Sequence, residues 1–270
     1  VTLTEVVITD ANTASQLGKP CGTYLTLESA LLRERDPDVR IAAANLLGEE
    51  LARLIPPDDG APVLIVGLGN RFVTPDSLGP NTIDRTLVTR HAEENGFSRA
   101  KMRSVAAMAP GVLGITGVET VEMVESLVKK LSPRLVICID ALAARASSRI
   151  GAAIQLTDAG IQPGGGVGNH RKPLNRETLG VDVVAVGMPT VIYAATLARD
   201  AFALLSEENS NDSALDAIER ELLGDPAGEM IVTPREIDSI IQDASGKTVY
   251  SNADRPYADS AFYTYLPRGT

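Results

Sequence analysis

The chain has 270 residues, an ordinary apolar share and no Trp, so it can bury one large aliphatic core or two small ones. A net charge of -10 excludes a general nucleic-acid binder, because phosphate contacts need clustered Lys and Arg and the Arg171-Lys172 pair is too small to supply them. The longest apolar helical stretch, about 190–205, is interrupted by Arg199 and Asp200 and is too short to span a bilayer, which excludes a membrane anchor of that kind.

Residues 1–9 are rich in β-branched side chains and predict a strand. Asp10 is placed to cap a short helix ending at Leu17, and Tyr24 to Leu27 predicts a second strand. Ile41, Ala42, Leu46, Leu47, Leu51 and Leu54 form a helical stripe within 36–55, which Pro56-Pro57-Asp58-Asp59-Gly60 ends. Val63 to Val66, with Leu68, reads as a buried strand; Gly67, Gly69 and Asn70 break it, and Thr74-Pro75-Asp76 follows. A helix through Ile83, Leu87 and Val88 is then predicted to run to about His91, with a strand in 101–107. The glycine-punctuated stretch from Ala109 to Gly117 predicts a shaped loop, and Glu119 to Leu131 an amphipathic helix that buries Val121, Val124 and Val128. Arg134 to Arg145 reads as an apolar strand ending in Asp140, with a helix start after it. Further strands are predicted at Ile150–Leu156 and Val181–Val186, and helices at Thr190–Leu205, 213–223 and Pro234–Ile241. The stretch 157–176 has no period and five glycines, which at that length marks a functional loop.

Strands alternating with helices predict a three-layer αβα sandwich around a mostly parallel or mixed central sheet, phosphorylase/hydrolase-like. The expected organisation is a single domain over 1–243 with its core in 61–205, and a loosely packed tail over 244–270. Open α/β sheets place their chemistry in the crevice beyond the strand ends. Asp76 and Asp140 each follow a predicted buried strand in a small-residue setting, so they are expected side by side as a carboxylate pair. Other chemistries lack their residues. Phe72 stands where a dinucleotide fingerprint needs its third glycine, and no Gly-x-Ser-x-Gly elbow occurs. Cys21 and Cys138 share no metal or redox spacing, and Cys138 lies inside an apolar strand as a small core residue, which suits a reducing, cytoplasmic setting. Of the two histidines, His91 sits at a predicted helix end and His170 in the glycine loop, where it is the better candidate for chemistry. Glycine loops alone would also suit a non-catalytic module that binds a small anion.

Several long motifs occur in one order: IVGLGNRFVTPDSLGP at 65–80, LVTRH at 87–91, APGVLGITGVET at 109–120, IDALAAR at 139–145, the segment from Asp158 to Lys172, and ETLG at 177–180. Shorter ones lie at Tyr24–Glu28 and Val232–Asp238. Together they resemble the germination proteases of spore-forming bacteria. The resemblance implies an endopeptidase, made as a zymogen, that begins the breakdown of small acid-soluble spore proteins in the spore core or forespore cytoplasm. It implies a homotetramer, no membrane and no nucleic-acid partner. Its two essential aspartates fall on Asp76 and Asp140, the pair chosen above from the strand pattern. The family's precursors carry a short inhibitory pro-segment, and usually a longer insertion than 206–231.

Gly111 and Gly114 in one loop, and Gly166, Gly168 and Asn169 in the other, are expected to supply backbone donors to substrate. Arg171 and Lys172 are expected to meet the acidic residues that the resemblance implies around the cleaved bond. The family is also similar in fold to the hydrogenase-maturation peptidases, which implies two alternatives. One is a divalent metal ion held by Asp76, Asp140 and His170; the other is C-terminal processing in place of internal cleavage.

Overall fold

Two uninterrupted apolar runs form the middle of the sheet, because only strands covered on both faces can bury every residue. They are Val63–Gly67 and Leu135–Ile139, the first half of the Leu135–Ala144 strand, and a computed structural model of the protein places them side by side. The structure describes residues 1–91, 102–164, 171–205 and 231–232. Its strands are β1 (Thr2–Ile8), β2 (Gly22–Glu28), β3 (Val63–Gly67), β4 (Val105–Met108), β5 (Leu135–Ala144), β6 (Ala153–Thr157), β7 (Asp182–Tyr193) and β8 (Ile231–Val232). Their spatial order is β1-β2-β6-β7-β5-β3-β4, with β8 paired to the end of β7. The β7-β5-β3-β4 part is parallel, and the β1-β2-β6 wing joins β7 antiparallel. The sheet is thus mixed, with helices on both sides.

Alternate residues of the central strands build the two outer layers. Val63, Ile65, Leu135, Ile137 and Ile139 pack against Leu47, Leu51 and Leu54 of the Pro37–Leu54 helix and against Leu78 and Ile83 of the Leu78–Ile83 helix. Leu64, Val66, Val136 and Cys138 face Val121, Val124 and Val128 of the Thr120–Leu131 helix on the other side. The helix ends follow local chemistry. Asp10 and Asp36 each accept two backbone N–H groups at a helix start, and Lys129 and Lys130 sit in the last turn of 120–131, where cations suit the helix dipole. Among the described residues no helix is long and apolar enough to cross a membrane.

Several expectations need correction. The helix after Asp76 ends at Ile83, not near His91. Past it, Leu87 is 71% exposed, and Thr89 bonds to Arg103 O and to the N–H and carbonyl of Val105, so the chain is drawn alongside β4. Ile41, counted in the buried stripe of 37–54, lies outward at 61% exposure, and Ala43 faces the core instead. The stretch 109–117 is not all loop, since Leu113–Thr116 makes one helical turn closed by Gly117. β5 does not end at Asp140 but runs to Ala144, and no helix starts there: Ser147–Arg149 is a single tight turn. β7 likewise runs through Tyr193, and its helix begins at Ala194 rather than Thr190. The two strands extend together, their pairing reaching Ala144 opposite Ile192 across a register shift at Leu142/Ala143. The expected helices at 213–223 and 234–241 and the tail 244–270 lie outside the described residues.

Candidate active site

β3 leaves the sheet at a fixed point. Its last rung is the Leu68 N–H, which donates to Ile139 O at 2.8 Å. Gly69 then turns the chain with φ +106, a left-handed backbone that favours glycine. A Cβ at Gly69 would overlap the Asp76 carbonyl oxygen and lie 2.9 Å from Asp76 Oδ1. Glycine there is what lets residues 70–76 fold back against the strand end.

The returning loop closes on itself. Asn70 Oδ1 accepts from Phe72 N at 3.0 Å, Asp76 N donates to Val73 O at 2.8 Å, and Asp76 Oδ2 accepts from Asn70 N at 2.7 Å. From the sheet, Thr190 Oγ1 donates to Pro75 O at 2.7 Å and ties the loop to β7. Beneath it, the 78–83 helix rests directly on the strand backbones. A Cβ at Gly79 would overlap Leu68 O and stand 2.5 Å from Leu68 N and 2.6 Å from Ile139 O.

Asp140 is the next residue of β5 after that last rung, and it is 7% exposed. Its Oδ1 accepts from Ala141 N at 2.9 Å. Burial, helped by the negative charge of Asp76, pushes its carboxyl up to about 7, against the pull of the Ala141 N–H. Asp76 is half-buried, and burial raises its carboxyl too, against the Asn70 N–H. Two acids within Coulomb reach titrate as a pair, so the proton kept up to about 7 belongs to the pair, with Asp140 its more deeply buried member.

Both acids line one cavity of about 330 Å³. Its walls include Gly111, Val112, Thr120, Ala141 to Ala143, Gln162, Pro163, Gly164, Arg171 and Thr190. Of the residues expected at the site, Asp76, Asp140, Gly111 and Arg171 come together there. Gly114 does not: it is exposed on the 113–116 turn, with nothing near its α-carbon. Lys172 is exposed and outside the lining. Gly166, Gly168, Asn169 and His170 lie outside the described residues. The ends of the 157–176 loop are clamped by Ile161 and Leu174, which exchange backbone bonds of 2.9 and 2.7 Å. Sequence reasoning missed Thr190, assigned to a helix, although Pro189 just before it marks the irregular stretch of β7.

Cys138 is fully buried, and burial raises its thiol well above the usual range, so it is a core residue and not a nucleophile. Among the described residues no group of three or more His, Cys, Asp or Glu could hold a metal ion. The pair alone falls short of the three protein ligands of a catalytic zinc site.

The chain is similar to known proteins along most of its length. Residues 1–222 match a family described as Germination protease. A germination protease of Clostridium perfringens is 40% identical over 263 residues, covering 91% of this chain and 81% of the relative. One from Caldanaerobacter subterraneus subsp. tengcongensis is 39% identical over 260 residues, covering 90% and 80%. One from Priestia megaterium is 45% identical over 211 residues, covering 74% and 55%.

Proposed function

The chain belongs to the germination protease family and is a peptidase, and from that premise we propose that it cuts internal bonds of small acid-soluble spore proteins with Asp76 and Asp140 as its catalytic pair. The observation that carries this reading is the convergence of both acids on one cavity, with Asp140 holding its proton up to about 7.

In the singly protonated pair, Asp76 is the carboxylate and Asp140 the acid. Asp76 takes a proton from a water molecule as its oxygen attacks the peptide carbonyl carbon. Asp140 donates toward the carbonyl oxygen, where negative charge develops. As the C–N bond breaks, the proton held by Asp76 passes to the leaving nitrogen, a hydroxyl of the tetrahedral intermediate returns its proton to Asp140 as the product carboxyl forms, and the pair regains its starting state. In this reading Gly111, which lines the cavity, offers backbone groups to the substrate carbonyl. No step of this scheme needs a metal. Assembly as a homotetramer, synthesis as a zymogen and action in the spore core belong to the same proposal.

The test is digestion of a small acid-soluble spore protein, with products identified by mass spectrometry. Internal cuts are expected. Removal of a C-terminal segment alone would favour the processing-peptidase alternative, and an intact substrate would refute the proposal.

Arg171 supplies positive charge at the cavity wall of an acidic protein. Arg171→Ala is expected to raise KM for an acidic-site peptide about threefold to tenfold at low salt and less at high salt, with kcat little changed. Lys172→Ala, outside the lining, is expected to do less. An unchanged KM for Arg171→Ala at low salt would remove this residue from recognition.

A further inference from the structure

Beyond Ile139, β5 has a strand partner on one side only among the described residues. β3 ends at Gly67 opposite Ile139, whereas β7 accompanies β5 to Ala144. Backbone groups of alternate residues point to the same edge of a strand. The Ile139 carbonyl faces β3, so the groups of Ala141 and Ala143 face the side that β3 has left. The Ala141 N–H is turned to Asp140 Oδ1. Among the described residues no strand pairs with that edge past Ile139.

Open strand edges are ordinarily guarded, because they template pairing with another chain. This one is not shielded by bulk: residues 141, 143 and 144 are alanine, and the one large side chain, Leu142, packs over Gly187 of β7. It also borders the cavity that holds Asp76 and Asp140, with Ala141 to Ala143 in the lining. The space exists because Gly69 turns the chain away where β3 would otherwise have continued.

We propose that an extended segment of the polypeptide substrate occupies this space, continuing the sheet where β3 stops. It pairs with the Ala141 carbonyl and with the N–H and carbonyl of Ala143, which sets the bond to be cut beside Asp140. The inference rests on the peptidase reading and adds the mode of recognition: the backbone ladder holds the chain, and side chains are read at alternate positions. An unfolded or extended stretch is therefore the occupant, since a folded domain has no free backbone to offer.

The test uses the full chain and a fluorescein-labelled acidic peptide of about ten residues, roughly 33 Å when extended, N-methylated at one amide at a time. Binding is read by anisotropy on the Asp140→Asn protein, and cleavage on the wild type. Methyl groups at every second position are expected to weaken binding about tenfold, and intervening ones by less than about twofold. Ala143→Pro removes the N–H that strand alternation puts on this open edge, and is expected to weaken binding of the unmethylated peptide about tenfold. Methylation effects without alternation would overturn the proposal, even if Ala143→Pro failed to fold. Cleavage without alternation would sink the edge site and leave the aspartate reading standing. Alternation without cleavage would do the reverse, and a peptide neither bound nor cut would overturn both.

Discussion

Asp140→Asn is expected to lower kcat by about a thousandfold or more while making the fold more stable above neutral pH. The two effects have one cause. Asp140 is buried beside Asp76, and its carboxyl is raised from 3.8 to about 7. A raised folded-state value means that this group contributes stability fully below its unfolded value, and that the contribution is lost as pH rises through about 7. At about pH 8 the wild type carries an uncompensated buried charge, and the amide does not. Relief on the order of 2 to 4 kcal/mol is expected there, with little or no gain near pH 4. Asp76→Asn should cost similar activity with a smaller change in stability, because Asp76 is half-buried and held by Asn70. Thermal unfolding and cleavage, measured together at acid and alkaline pH, check this. Parallel loss of fold and activity in both variants would mean that the acids only staple their loops.

Gly79→Ala is expected to destabilise the fold by about 3 to 5 kcal/mol. The added methyl would meet Leu68 O, Leu68 N and Ile139 O, all backbone atoms of the two central strands, so no side chain can swing aside. The 78–83 helix must lift, and it follows directly on the Thr74–Asp76 turn. What remains folded should therefore also lose activity. Gly114→Ala is the control: its α-carbon faces open space, and the change is expected to be neutral within about 0.5 kcal/mol. Chemical denaturation of the two variants checks the contrast, and equal stabilities would refute the close packing.

The contrast between these glycines shows where sequence reading succeeds. Val63 to Val66 and Leu135 to Ile139 are legible as buried strands because burial on both faces demands continuous apolar residues. The stripe Val121, Val124 and Val128 is legible because one helix face must be apolar. Asp140 is legible because it ends such a run, and Asp76 because it stands in the loop just past one. By contrast, Ala141 to Ala144 carry no strand signal of their own, and the β-branched and aromatic run Thr190 to Tyr193 merges into the apolar 194–205 helix, so both extensions show only in their pairing. Leu87 and Val88 looked like a helix stripe, yet Thr89 draws that stretch toward β4 and leaves Leu87 in solvent. Gly111 and Gly114 are alike in sequence, yet Gly111 is left-handed and lines the cavity while Gly114 lies exposed in the 113–116 turn. Thr190 is a positioning residue whose partner, Pro75 O, is remote in sequence. Such contacts are set by tertiary packing, which no local pattern encodes.

The central claim is that Asp76 and Asp140 activate water by sharing one proton. Its most direct test is kcat/KM from about pH 5 to about pH 9, measured on protein dialysed against a strong chelator and checked for metal content. The expected result is full activity in metal-free protein, with an alkaline limb near 7, where Asp140 gives up its proton. Activity lost on stripping and restored by a divalent ion, or a profile flat through the alkaline range, would contradict it.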